Sequence, residues 1–183
     1  NVKHLFFPTP VWASVIENYK DINEEIYDYI INLKNNNLNG VRKSNFKGWH
    51  SENFNLKDQA VKNFVQLILP SINESLKDMD WNMEKQIVQI QSMWAIINTK
   101  GALNERHHHG NSSLSCAYYV RAPKDCGEIV FYDPRPAPVF FHPYAKKPNT
   151  LNASVNSINP NEGMFVVFPS YLEHSVNPNI TDE

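Results

Sequence analysis

Residues 107–120 read His-His-His-Gly-Asn-Ser-Ser-Leu-Ser-Cys-Ala-Tyr-Tyr-Val. Gly110-Asn111 is a turn signal, and Leu114 to Val120 then reads as a short strand. The same unit of turn and strand recurs downstream. Glu128 to Tyr132, Asn152 to Ile158 and Met164 to Phe168 read as strands. Lys124 to Gly127 and Asn159 to Gly163 supply turns between them. Upstream, Val88, Ile90, Trp94 and Ile96 alternate with Gln89 and Gln91, the period of a half-buried strand, which Lys100-Gly101 closes. Many short strands with regular turns point to a sandwich or barrel.

Before Trp81 the apolar period is that of a helix. Asp21 with Glu24 forms a capping-box pattern, and Ile22, Ile26, Tyr29/Ile30 and Leu33 follow it at helical spacing. Asn35-Asn36-Asn37 and Asn39-Gly40 end that helix. A second helix is predicted from Asn55, with Val61, Phe64, Leu67/Ile68 and Ile72 as its stripe and a kink or break at Pro70. The whole is mainly β with N-terminal helices. A length of 183 residues predicts one domain, with 1–80 as helical support and 81–183 as the β core. There is no strand–helix alternation and no glycine-rich phosphate loop, and only six Gly occur, which excludes a dinucleotide-binding fold.

Composition narrows the function classes. Hydrophobic residues make up 42% and charged residues 20%, a globular mixture. A net charge of −2 argues against nucleic acid held by phosphate charge. No apolar run reaches the roughly 18–20 residues of a membrane span. Asn1 to Pro10 lacks the pattern of a signal peptide, and the chain lacks an initiator Met, consistent with trimming. Two Cys, Cys116 and Cys126, do not make a disulfide scaffold, and a reduced cytoplasmic setting is expected. A monomer and a homodimer both fit.

Seven His occur, three of them consecutive and far from either end. On a strand, residues i and i+2 share a face. His107 and His109 then project together as two corners of a metal site, and His108 points away. His174 follows the strand Met164 to Phe168 and a short turn, and is the best third ligand. The alternative is that the His-rich turn is solvated and His174 makes a surface hydrogen bond. His142, in the run with Pro134, Pro136, Pro138, Pro143 and Pro148, is expected to be solvated. A proline-rich excursion that long is often functional.

Four segments add a resemblance. They are Ser44-Asn45 with Gly48-Trp49-His50-Ser51; His107-His108-His109-Gly110-Asn111-Ser112 running into Leu114-Ser115-Cys116-Ala117-Tyr118-Tyr119; Phe131-Tyr132-Asp133-Pro134-Arg135; and Phe168-Pro169-Ser170-Tyr171-Leu172-Glu173-His174. Together, from Phe6-Phe7-Pro8-Thr9-Pro10 onward, the chain resembles a family of prolyl-hydroxylase-like 2-oxoglutarate/Fe(II)-dependent oxygenases of marine bacteria and their phages. The resemblance implies a double-stranded β-helix, a jelly-roll or cupin-like barrel, with iron at its open end. It implies a dioxygenase that uses Fe(II), 2-oxoglutarate and O2, releases succinate and CO2, and hydroxylates a small-molecule or peptidyl substrate.

In the wider superfamily the iron sits on a His-x-Asp pair and a distant His. His107 matches the first His and His174 the distant one, but His109 stands where the Asp is expected. Two ligand sets follow: His107, His109 and His174, or one in which Asp133 supplies a carboxylate. The 107/109 spacing favours the first. For 2-oxoglutarate, the resemblance points to Tyr119, with Ser115 and Ala117 on the same strand face. Tyr119 as a core aromatic is the competing reading. Arg135 either grips a carboxylate or pairs with Asp133 to fix the loop, the latter favoured. Asn98, at a strand end, either lines the pocket or forms a turn. Trp49, His50 and Ser51 either close the substrate side or pack in the core. The family's carboxylate-binding cation, an Arg or Lys, lies on a strand after the distant His, so either a further strand follows Glu183 or the cation comes from elsewhere. Rival readings are a three-His zinc hydrolase or lyase of cupin type, and a non-enzymatic jelly-roll binding or structural protein.

Overall fold

The computed structural model describes residues 1–135 and 143–182, so Pro136, Pro138 and His142 lie outside the described residues. The order is β1 (Trp12–Val15), α1 (Tyr19–Asn36), β2 (Asn45–Phe46), β3 (Trp49–His50), α2 (Gln59–Asp78), β4 (Ile96–Ile97), β5 (Leu103–His107), β6 (Leu114–Tyr118), β7 (Ile129–Tyr132), β8 (Val155–Ile158), β9 (Met164–Pro169) and β10 (His174–Val176). The strands form one sheet ordered β1-β9-β6, a second ordered β2-β5-β10-β7-β8, and a ribbon β3-β4. Every pairing is antiparallel.

β9 is the spine. Phe165, Val166, Val167 and Phe168 are each no more than 2% exposed, because both faces of this central strand are covered. Strand alternation sends them to two cores. Phe165 and Val167 pack with Ile16, Ile26, Ile30, Val61, Phe64 and Ile68 on the helical side. Val166 and Phe168 pack with Ile129 and Phe131 of the second sheet and with Leu172 in the turn before β10. Each such side chain is worth about 1.5–3 kcal/mol of apolar transfer. The layers are thus helices, first sheet, second sheet.

One polar side chain locks α1 to the first sheet. Asn23 is fully buried; its Nδ2 donates to the Val120 carbonyl at 3.0 Å and its Oδ1 accepts from the Tyr118 hydroxyl at 2.6 Å. Both ends of the amide are satisfied, so burial carries no orphan penalty.

The downstream strands lie where the alternation and turn signals put them. Cys116 and Cys126 are free thiols. Three expectations need correction. α1 starts at Tyr19, with Asn18 at its cap in the left-handed region, so Asp21 lies in the first turn and caps nothing. α2 starts at Gln59 rather than Asn55 and continues through Pro70, which sits on an exposed face where water can take the freed carbonyl. The segment from Val88 to Trp94 is not a strand. Ile87 and Val88 are exposed, and only Ile96–Ile97 joins a ladder, with Trp49–His50. Alternating glutamines imitate a pleat, but no strand among the described residues pairs with this stretch.

Candidate metal centre

The pairing of β5 with β10 builds the centre. His174 opposes His107, and Val176 opposes Asn104. Two residues on β10 therefore span three on β5, which is a β-bulge at Glu105–Arg106. The extra residue puts Asn104 on the same face as His107, despite their odd spacing. It also turns Arg106 outward, over the Tyr132 ring at 4.0 Å and against the Glu173 carboxylate.

His109 lies two residues beyond the end of β5. It joins His107 for a reason other than strand alternation. Its backbone N–H donates to the Ser170 carbonyl at 3.0 Å, and the Ser170 N–H donates to the Ser113 carbonyl at 3.1 Å. The turn between β9 and β10 thus holds the loop after β5 over His174. Ligand atoms of His107, His109 and His174 all lie within 4.8 Å of one another. The ring centroids are 4.3 Å apart for His107 and His174, and 5.1 Å for each of the other pairs. His108 is exposed.

Two of the rings have a fixed tautomer. His107 Nδ1 lies 2.6 Å from the Glu105 carbonyl and His174 Nδ1 lies 3.0 Å from the Leu172 carbonyl. A carbonyl only accepts, so each Nδ1 carries the proton and each Nε2 presents a lone pair. Burial lowers the His174 pKa to about 4, with the neighbouring imidazoles adding to the effect against the Leu172 hydrogen bond. Burial, then His107 and His108, also lowers that of His109. Both are neutral at pH 7, the form a metal needs. Phe168 packs edge-on against His174 at 4.7 Å, and Phe131 lies 6.3 Å away, so the floor is apolar. Three imidazole donors converging on one face, with His174 buried, fit a divalent transition metal.

The other expected residues fall in different places. Ser115 and Ala117 oppose Phe168 and Val166, on the face toward the second sheet. Tyr119 packs in that same core, with its phenol pKa pushed up by burial. Ser115 Oγ shares a 2.7 Å hydrogen bond with Ser170 Oγ. Asp133 is outside the three-residue cluster, and its carboxylate takes two hydrogen bonds from the Arg135 guanidinium, at 2.9 and 2.8 Å. That is the loop-fixing reading of Arg135, whose side chain is otherwise exposed. Asn98 donates to Asn104 Oδ1 at 2.9 Å, and its own Oδ1 is buried with no hydrogen-bond partner among the described residues. It belongs to an amide network with Ser44 and Asn179. Trp49 is core.

His50 and Trp94 are brought to the edge of the centre. Their rings stack at 5.7 Å, and Trp94 tilts against His109 at 5.6 Å. Trp94 as a neighbour of the centre was not legible in the sequence, where it counted only as one apolar beat of a strand.

Comparison with known proteins gives the family and the fold. Residues 92–183, half of the chain, match a family described as "Putative 2OG-Fe(II) oxygenase". No curated protein matches. Among solved structures, the fold is similar to a Pseudomonas putida prolyl-4-hydroxylase, with TM-score 0.65 and 13% identity over 94% of this chain and 87% of that one. It is also similar to a Trichoplax adhaerens prolyl hydroxylase solved with a hypoxia-inducible-factor peptide fragment, with TM-score 0.62 and 11% identity over 93% and 78% of the two chains. The fold is therefore mostly β with few helices, of the prolyl-hydroxylase kind, and no helix among the described residues is long and apolar enough to cross a membrane. The chain belongs to the family of 2-oxoglutarate/Fe(II) oxygenases, and is an oxidoreductase that uses Fe(II), 2-oxoglutarate and O2.

Proposed function

We propose that His107, His109 and His174 hold the Fe(II) in a three-histidine face, and that the two main sheets close as a double-stranded β-helix around it within a single domain spanning 1–183. The observation that carries this is the mutual approach of the three ring nitrogens within 4.8 Å. When bound, the metal supplies the activation of O2 that couples decarboxylation of 2-oxoglutarate to hydroxylation of a C–H bond.

The chain's own residues then have definite tasks. Glu105 and Leu172 carbonyls hold the His107 and His174 rings with Nε2 inward. Phe131 and Phe168 keep water from the floor of the site. Three neutral ligands leave the metal's charge uncancelled, which strengthens its hold on an anionic 2-oxo acid. Tyr119 is the donor for the far carboxylate: its hydroxyl makes no hydrogen bond with a described residue, and its raised pKa keeps the proton in place. Ser115, two residue pairs along the same face, supports the Ser170 turn that anchors His109. The Arg135–Asp133 pair shapes the loop after β7. The substrate is a peptidyl residue or a small molecule, reached through the end of the sheets where the histidines lie.

Anaerobic titration with Fe(II) and then 2-oxoglutarate tests this. A metal-to-ligand absorption band is expected, followed by succinate in air. His107→Ala and His174→Ala should abolish both. Retention of the band in either variant, or its absence in the native protein, would overturn the assignment. Asp133→Ala should leave the band in place; its loss would move the third ligand to Asp133.

A further inference from the structure

The three histidines differ in how their rings are held. His107 and His174 each donate Nδ1–H to the carbonyl two residues back. His109 makes no ring hydrogen bond with a described residue, and its backbone lies past the end of β5. A ring tied only at its backbone turns about two side-chain torsions, and a metal must stop that motion. What meets the His109 ring is an aromatic plate, Trp94, at 5.6 Å and 52°.

Trp94 is itself set in place. Its ring stacks on His50 at 5.7 Å and 14°. His50 is 6% exposed, and its Nδ1 is 2.6 Å from the Ser51 carbonyl. The backbone on either side is fixed by the β3–β4 ribbon, in which His50 opposes Ile96. Ser51 N–H donates to the Ala95 carbonyl, and Ala95 N–H donates to Ser51 Oγ, both at 2.9 Å. A rigid ribbon therefore presents a stack of two rings to the one ligand that lacks a hydrogen-bonded brace.

We infer that Trp94, seated on His50, is the positioning residue for His109, replacing by ring packing the hydrogen bond that orients the other two ligands. The inference rests on His109 being a ligand, as proposed above. It adds that metal affinity depends on Trp94 through His109 and through no other group. Outer-shell partners of metal-bound histidines are typically worth about 10–100-fold in affinity. The expected loss on removing the plate is about tenfold.

Co(II) is the probe, because its visible absorption reports both affinity and ligand geometry in air. The full chain is titrated as wild type, Trp94→Ala, Trp94→Phe and His109→Asp, and as the double variant Trp94→Ala/His109→Asp. His109→Asp puts a carboxylate in the same place, which needs no ring plate. Trp94→Ala should weaken Co(II) binding about tenfold and broaden the absorption, while Trp94→Phe keeps it within about threefold. In the His109→Asp background, Trp94→Ala should change affinity less than about twofold. An equal penalty in both backgrounds overturns the inference, since Trp94 would then act on the fold or on another ligand. Unchanged affinity in Trp94→Ala also overturns it. His109→Ala separates this from the site assignment: if that variant binds Co(II) like the wild type, His109 is no ligand and the underlying reading fails first. Should Trp94→Ala not fold, Trp94→Leu, which keeps apolar bulk without a flat ring, carries the same comparison.

Discussion

His174 makes the metal-free protein sensitive to acid in a way that can be worked out from its surroundings. The ring is 5% exposed, wedged between Phe168 and His107, with Phe131 beyond. Burial takes its pKa from 6.5 to about 4. In the unfolded chain the same ring takes up a proton near 6.5. Between these values the unfolded state binds more protons than the native state, so stability rises with pH there. The contribution is fully present above pH 6.5 and is lost as pH falls toward 4. The gap between the two pKa values corresponds to about 3 kcal/mol at most. That is a large part of the roughly 5–15 kcal/mol that holds a domain together. The assay is urea unfolding of chelator-treated protein at 25 °C, stepped from pH 7 to pH 4, for wild type and His174→Asn. Groups remote from His174 contribute alike in both proteins, so their effects cancel in the difference. The wild type should lose up to about 1.4 kcal/mol more per pH unit than the variant across pH 6 to 4.5. Parallel curves would refute the reasoning, because they would mean that His174 is as solvated in the native state as in the unfolded one.

Further outcomes follow from single contacts. Phe165→Ala empties the space between β9 and the helices and should cost about 3–5 kcal/mol in chemical unfolding, with cavity-lining Ile26 and Phe64 held apart by their own elements. Gly163→Ala should lower stability by at least about 1 kcal/mol, because φ is +76° and an added Cβ would sit 2.5 Å from the Tyr19 ring; thermal melting reads this directly. Arg135→Ala should leave the melting temperature within about 2 °C, since an exposed ion pair holds little, and the KM for 2-oxoglutarate within about twofold. A large rise in KM would return Arg135 to the co-substrate.

Much of the architecture was legible because burial writes itself into side-chain period. Met164 to Phe168 is apolar at every position, and such a strand must be covered on both faces, as β9 is. Helical stripes through Ile26, Ile30, Val61, Phe64 and Ile68 pointed to the faces that pack on it. Where the period misled, at Val88 to Trp94, the missing element was a neighbouring strand, which no local pattern encodes.

The site divides along the same line. Sequence alone supplied the candidate donors: three imidazoles, two close in the chain and one after the last long strand, with Asp133 as an alternative carboxylate. It also determined that Ser115 and Ala117 share one face of their strand. Only the tertiary structure decided how the donors meet. His107 faces inward beside Asn104 because of a bulge that depends on pairing with β10. His109 reaches the cluster because Ser170, far along the chain, accepts its backbone hydrogen. Trp94 becomes its neighbour because the β3–β4 ribbon crosses near it. Periodicity reports which side of an element is buried, a property of each residue and its near neighbours. Ligand orientation is set by hydrogen bonds and ring contacts between segments tens of residues apart, and these exist only once the chain has folded.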